Sequence, residues 1–157
     1  MSEKGTMTEM ERIADQLKRA FEGEAWHGPA ILELLKDVTA EQAAKRPIAG
    51  AHTIWEIVLH MTTWKNVLRR RLLGEIFRVT AEEDWPSVGR TDDAEWQAAI
   101  ARLKSTHDQL SRVVASLDEA RLDEPLVKDG SRGYIQLHGI VQHDLYHGGQ
   151  IAVLKKG

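Results

Sequence analysis

The sequence predicts an all-α protein, a four-helix bundle, and three observations carry that expectation. Four long stretches place apolar residues at the three-and-four spacing of a helix that buries one side. No stretch alternates apolar and polar residues over the length of a strand, and no segment repeats another. The connections between the long stretches are short, which suits helices packed as neighbours.

Thr8 and Glu11 have capping-box spacing and precede Ile13, Ala14, Leu17, Ala20 and Phe21, a first amphipathic helix ended near Gly23. Trp26 to Pro29 form a loop, followed by a short apolar helix from about Ala30 to Lys36, with Pro29 suited to its first turn. Thr39 and Gln42 repeat the capping spacing and predict a single turn before Pro47 and Gly50 break the chain. From His52 to Gly74 there is no proline or internal glycine, and apolar residues cover more than one face, so this is a long helix packed on several sides. Gly74 ends it behind Arg69, Arg70 and Arg71, cations that suit a helix C-terminus. The stretch from Glu75 to Arg90, with Trp85, Pro86 and Gly89, is the longest irregular segment and could lie over a pocket mouth. Asp92 and Glu95 start another helix, in which Trp96, Ile100, Leu103, Leu110, Val114 and Leu117 form a bundle seam with His107 in the missing place. Pro125, Gly130 and Gly133 mark the last connection, and the final helix runs from about Gly133 to Lys156. Its residues Val141, Leu145 and Ala152 make a second apolar strip almost opposite His143, which calls for a central place in the bundle or a partner chain, a homodimer.

A chain of 157 residues, 42% hydrophobic and 29% charged, fits one domain over residues 1–157 with a core of its own. Net charge is −3 and both signs are spread along the chain, so no basic face points to nucleic acid. The absence of cysteine excludes disulfides, a thiolate nucleophile and cysteine-rich zinc sites, leaving His, Asp or Glu as metal ligands. The opening MSEKGTMTEMER lacks an apolar core and no long uncharged apolar window follows, so neither export nor membrane insertion is expected and a cytoplasmic location follows.

The chemistry concentrates in HGIVQHDLYHGGQIAVL, residues 138–154. His143 and His147 are four residues apart, so on a helix they project about 40° from one another, one turn above the other, and can grip one metal ion. Gln150 falls roughly 20° to the other side of His143, with Ile140 and Leu154 flanking the strip, whereas His138 lies about 140° away. His60, mid-helix beside Ile57, Trp64 and Val67, is the leading candidate for a third ligand from another helix. Three histidines would leave a fourth tetrahedral position open to water and to chemistry. The same spacing also occurs in histidines that only pack and hydrogen-bond inside a bundle.

HTIWEIVLHMTTW, followed far downstream by HGIVQHDLYHGGQIAVLKK, resembles the DinB-like (DinB/YfiT-like) metalloenzyme family, and the likeness spans nearly the whole chain, including AWHGPAILELL. The resemblance implies a DinB-like four-helix bundle, a homodimer, and one divalent metal ion on three histidines that match His60, His143 and His147. It implies no single activity, because related proteins include bacillithiol S-transferases and a mycothiol-dependent maleylpyruvate isomerase. Zinc, nickel, iron and copper all suit nitrogen ligands.

Further candidates surround this set. His107 could approach the metal, though a histidine in a bundle seam is more often packed. Glu56, one turn before His60, could orient or supplement it. Gln150 could orient a ligand histidine, Trp26 is a candidate pocket wall, and His27 or His52 could line a pocket. Asp144 could support a ligand histidine, though a solvated role is the better expectation. The Glu-x-x-His pairs of a di-iron carboxylate bundle are missing, so a single metal is the better reading. Two functions follow: a metal-dependent enzyme acting on a small molecule such as a low-molecular-weight thiol, by S-transfer or a related transfer or hydrolysis, or a non-catalytic dimeric metal-binding module with a structural or sensory role.

Overall fold

The computed structural model describes residues 6–128 and 130–157, and within them most helices start where a threonine or aspartate stands. Thr8, Thr53 and Thr80 each accept a hydrogen bond from the backbone N–H three residues on, while Glu11, Glu56 and Glu83 accept one back from the cap's own N–H. These reciprocal bonds satisfy orphan donors at the helix N-terminus and open α1 (Glu9–Phe21), α4 (Ile54–Leu72) and α5 (Ala81–Asp84). Thr39 caps α3 (Ala40–Ala44) and Asp92 caps α6 (Asp93–Ser116) through their side chains. The short α2 (Ile31–Leu35) uses Glu33, whose carboxylate accepts the Ala30 N–H, and α7 runs over Gly133–Leu154. Gly74, at φ +96°, takes the left-handed conformation that stops α4, as its position behind the arginines predicts.

Two elements depart from the sequence expectations. The segment after α4 is not wholly irregular, since the Thr80 capping box winds α5 within it. A 3₁₀ turn, Glu119–Leu122, follows α6 because the Asp118 side chain accepts the Ala120 N–H, and Leu122 enters the core. Gly133 is then obligatory at the start of α7, because a Cβ there would sit 2.2 Å from the Arg121 carbonyl oxygen.

The chain is all-α, a bundle of the four long helices α1, α4, α6 and α7, and two separate apolar clusters give their directions. One contains the end of α1 (Phe21), the starts of α4 and α6 (Trp55, Trp96) and the end of α7 (Ile151, Leu154). The other contains the start of α1 (Met10), the ends of α4 and α6 (Leu72, Val114) and the start of α7 (Leu137). Helices α1 and α7 therefore run one way, and α4 and α6 the other. Parallel neighbours cannot be joined by a tight turn, so residues 73–92 must return along the roughly 28 Å length of α4 before α6 can begin. That connection, which contains the longest irregular stretch of the sequence, is a long crossover and so departs from the short connections expected between the long helices.

Between the two clusters lies a polar layer. Apart from the α4 cap Thr53, the buried polar side chains among the described residues, His60, Lys65, His107, Asp144 and His147, fall at middle positions of α4, α6 and α7. The second strip of α7 is divided by the bundle: Val141 and Ala152 are half-buried against one cluster each, and Leu145 remains exposed. No helix among the described residues is long and apolar enough to cross a membrane.

Candidate metal centre

His60 projects from the middle of α4 and His143 and His147 from successive turns of α7, and the three rings meet at their Nε2 atoms. His143 Nε2 is 3.0 Å from His60 Nε2 and 3.1 Å from His147 Nε2. Among the described residues this is the group of His, Asp and Glu side chains that could hold a metal ion.

The partners of the other ring nitrogens decide what this convergence means. His60 Nδ1 lies 2.7 Å from the Asp84 carbonyl oxygen, an acceptor only, so the proton of a neutral ring sits on Nδ1 and its Nε2 lone pair is bare. His147 Nδ1 lies 2.6 Å from Gln150 Oε1, which fixes the same tautomer. Two lone pairs thus point at one spot within hydrogen-bond distance of a third ring nitrogen, an arrangement that one proton cannot satisfy and a cation can. The donor set fits a divalent metal on this ground.

Burial tunes the same rings. It pushes His143 down to about 3, with His147, His60 and Lys65 adding repulsion in that order. It also lowers His60 and His147, against the opposing pull of the Asp84 and Gln150 bonds. Neutral imidazoles are the form that coordinates.

The crossover supplies the rest of the wall. Trp85 stacks on His60 at 3.8 Å and 5° and carries His52 on its other face at 3.5 Å, so His52 supports the site from behind. Asp84 Oδ1 accepts the indole N–H of Trp64 at 2.6 Å and stands 3.1 Å from His60 Nδ1. The expectation that this irregular segment lies over a pocket is met. It bounds a cleft of about 780 Å³ whose walls include Trp64, Phe77, Asp84, Ile140 and His143.

Other expectations are corrected. Glu56 does not reach His60: its carboxylate closes the Thr53 capping box and accepts from Arg46 at 2.9 Å. His107 lies outside the histidine cluster, stacked on Phe21 at 3.9 Å with Nε2 3.3 Å from the Ser111 hydroxyl, as packed seam histidines are. Trp26 is fully exposed in the loop after α1 and forms no pocket wall, and His27 beside it is exposed as well. Asp144 is not solvated but wholly buried, bonded to the equally buried Lys65 Nζ at 2.6 Å. His138, turned away as its position predicts, pairs with Glu9 at 3.1 Å.

Sequence reasoning missed Asp84, Trp85 and the Lys65–Asp144 pair. Asp84 and Trp85 carried no periodic signal, because they reach His60 through the crossover. Lys65 had one: it sits mid-helix where apolar neighbours crowd, a position in which a charge calls for a partner.

Residues 25–151 match the family model described as the DinB superfamily. No curated protein and no solved structure matches the chain significantly.

Proposed function

The chain belongs to the DinB superfamily, and on that premise we propose that it is a single-domain, metal-dependent enzyme that uses His60, His143 and His147 as ligands and the adjoining cleft as its substrate site. The observation that carries this reading is the pair of fixed tautomers: Asp84 and Gln150 each hold an Nδ1 proton so that two Nε2 lone pairs face His143 Nε2. A divalent ion here, zinc, nickel or iron, supplies Lewis acidity that lowers the pKa of water or of a thiol brought by the substrate. The protein's own part is positional. Gln150 and Asp84 orient the rings, Trp85 shields His60 from water, and the apolar cleft presents a small molecule on the His143 side. With no cysteine in the chain, any thiolate arrives with the substrate, which favours thiol S-transfer or a related transfer or hydrolysis.

Metal content of protein purified without a nickel column tests the ligand set. One equivalent is expected, lost in His143→Ala and His147→Ala without loss of helix. A double variant that still holds one equivalent refutes the site. In cobalt-substituted protein a small thiol should shift the visible spectrum, whereas a spectrum indifferent to thiols and azide would indicate a closed, non-catalytic site. The same reading includes a homodimer, because α7 leaves Leu145, Tyr146 and Val153 exposed, and a monomeric mass by light scattering would remove that part of it.

A further inference from the structure

Three consecutive arginines end α4, and their environments differ. Arg69 folds onto Asn66 and Arg70 pairs with Glu75 at 2.7 Å, so both are accounted for at the surface. Arg71 is half-buried and turns into the cleft. Its Nη1 donates to Gln136 Oε1 at 3.1 Å, its Nε is buried without a partner, and among the described residues it has no carboxylate. Its guanidinium stands 5.8 Å from the ring centres of both Trp64 and Phe77. The helix end does not need it, because Arg121 rather than Arg71 donates to the Leu72 carbonyl, at 3.0 Å.

A guanidinium with a buried, unused N–H in an apolar setting is costly unless something anionic completes it. Burial holds Arg71 below its usual value, the mark of a cation without compensation. Lys128 lines the same cleft, while among the described residues its carboxylate, Asp84, is engaged by Trp64 and His60.

Helical geometry then relates this cation to the histidines. Arg71 follows His60 by three turns of α4, about 20° around the axis and about 16 Å along it. Its partner Gln136 precedes His143 by two turns of α7, about 10 Å. The cleft therefore runs between α4 and α7 with the histidine cluster at one end and the Arg71–Gln136 pair at the other, and Trp64 and Ile140 line the space between.

We propose that Arg71 is the anchor for a carboxylate on the substrate, so that the ligand class is an elongated small acid with a metal-binding donor about 10 Å from its carboxylate and an apolar body between. The fork of the guanidinium donates to two carboxylate oxygens through Nε and Nη, and Gln136 holds it at the angle that leaves Nε free. The metal-binding end of this ligand rests on the reading given under Proposed function, but the anchor does not.

The test separates the two. Calorimetric titration of the metal-free protein with octanoate and with octanamide reads the anchor alone. Octanoate should bind at least tenfold more tightly, and Arg71→Gln should abolish the preference, with Arg71→Lys restoring part of it. In the cobalt protein, ω-mercaptoalkanoates of increasing length should bind more tightly than the matching mercaptoalcohols, with an optimum well above mercaptoacetate. Equal binding of octanoate and octanamide, or a preference that survives in Arg71→Gln, overturns the anchor even if cobalt binds and thiols shift its spectrum. Loss of cobalt binding with the octanoate preference intact overturns the metal reading and leaves the anchor standing. Thermal melting of each variant confirms that it is folded.

Discussion

The buried pair of Lys65 and Asp144 offers the sharpest energetic test. Lys65 lies five residues past His60 on α4 and Asp144 one past His143 on α7, and neither side chain has exposed surface. Their 2.6 Å bond ties together the two helices that carry the histidine cluster, with the Lys65 Nζ also 4.7 Å from the Phe21 ring centre of α1. Burial pushes Lys65 below and Asp144 above their usual ranges, outweighing the attraction that each feels from the other. A pair of that kind adds little net stability, yet stranding one member is expensive.

Lys65→Met keeps the bulk of the side chain but removes the only donor to Asp144 among the described residues, where its Oδ1 already lacks a partner. The expected loss is about 3–5 kcal/mol. For a chain of 157 residues, where 1 kcal/mol shifts Tm by roughly 2–4 °C, that is on the order of 10 °C. Asp144→Leu should cost a comparable amount. Together the two replacements should return to within about 1 kcal/mol of the parent, since no buried charge is left unpaired. Urea unfolding of metal-free protein followed by circular dichroism gives the full cycle without the linkage that bound metal would add. Single replacements that cost under 1 kcal/mol, or a double replacement that costs their sum, would refute the buried-pair account.

Acid should weaken the fold in a defined window. The rings of His107 and His143 are held down at about 3, whereas in the unfolded chain they titrate near 6.5, so between those values the unfolded state binds more protons and stability falls as pH falls. For the fully buried His107 the loss is about 4–5 kcal/mol by pH 3, readable in urea midpoints measured across that range; an acid-independent midpoint contradicts it. Metal should be retained to lower pH than an ordinary imidazole would allow, because the site histidines resist protonation, and atomic absorption after dialysis at stepped pH measures this. Gln150→Leu removes the acceptor that fixes the His147 tautomer and should weaken zinc binding 10–100-fold in a chelator competition, with Gln150→Glu near the parent and His138→Ala unchanged.

Much of the fold was legible because its signals are local. Thr8 with Glu11 and Asp92 before the Trp96 stripe placed helix starts to within a residue or two, since a cap and its N–H partners lie within one turn. The same locality made the α7 half of the site readable: His143, His147 and Gln150 share a strip by helical count alone, and the structure brings them together with His60. Side chains whose partners lie far along the chain were read less well. Glu56 looked available to His60, but the competing local bond to its own cap was stronger. Asp144 looked solvated because its partner Lys65 is 79 residues away. Trp26 looked like a wall because an aromatic beside His27 and Gly28 suggests a pocket, and only the bundle's shape shows that loop standing free.

The parallel placement of α4 and α6 ties topology to chemistry. Had these helices been antiparallel, a short turn would have joined them and His60 would have lacked both its Nδ1 acceptor and its stacked tryptophan. Because they are parallel, residues 73–92 must travel back along the bundle, and on the way Thr80 caps a single turn that delivers Asp84 and Trp85 to His60. The same return bounds one side of the cleft with Phe77 and leaves the end of α4, with Arg71, facing its far end. The polar layer fits this arrangement: a core interrupted at mid-height by His60, Lys65, His107, Asp144 and His147 gives up apolar packing where a continuous core would be more stable. The two apolar clusters on either side compensate, one under the short helices α2 and α3, the other under the turn after α6. A fold that keeps so many buried polar groups between two intact cores has placed its least stable layer where the His143 ring nitrogen must be held within about 3 Å of two others.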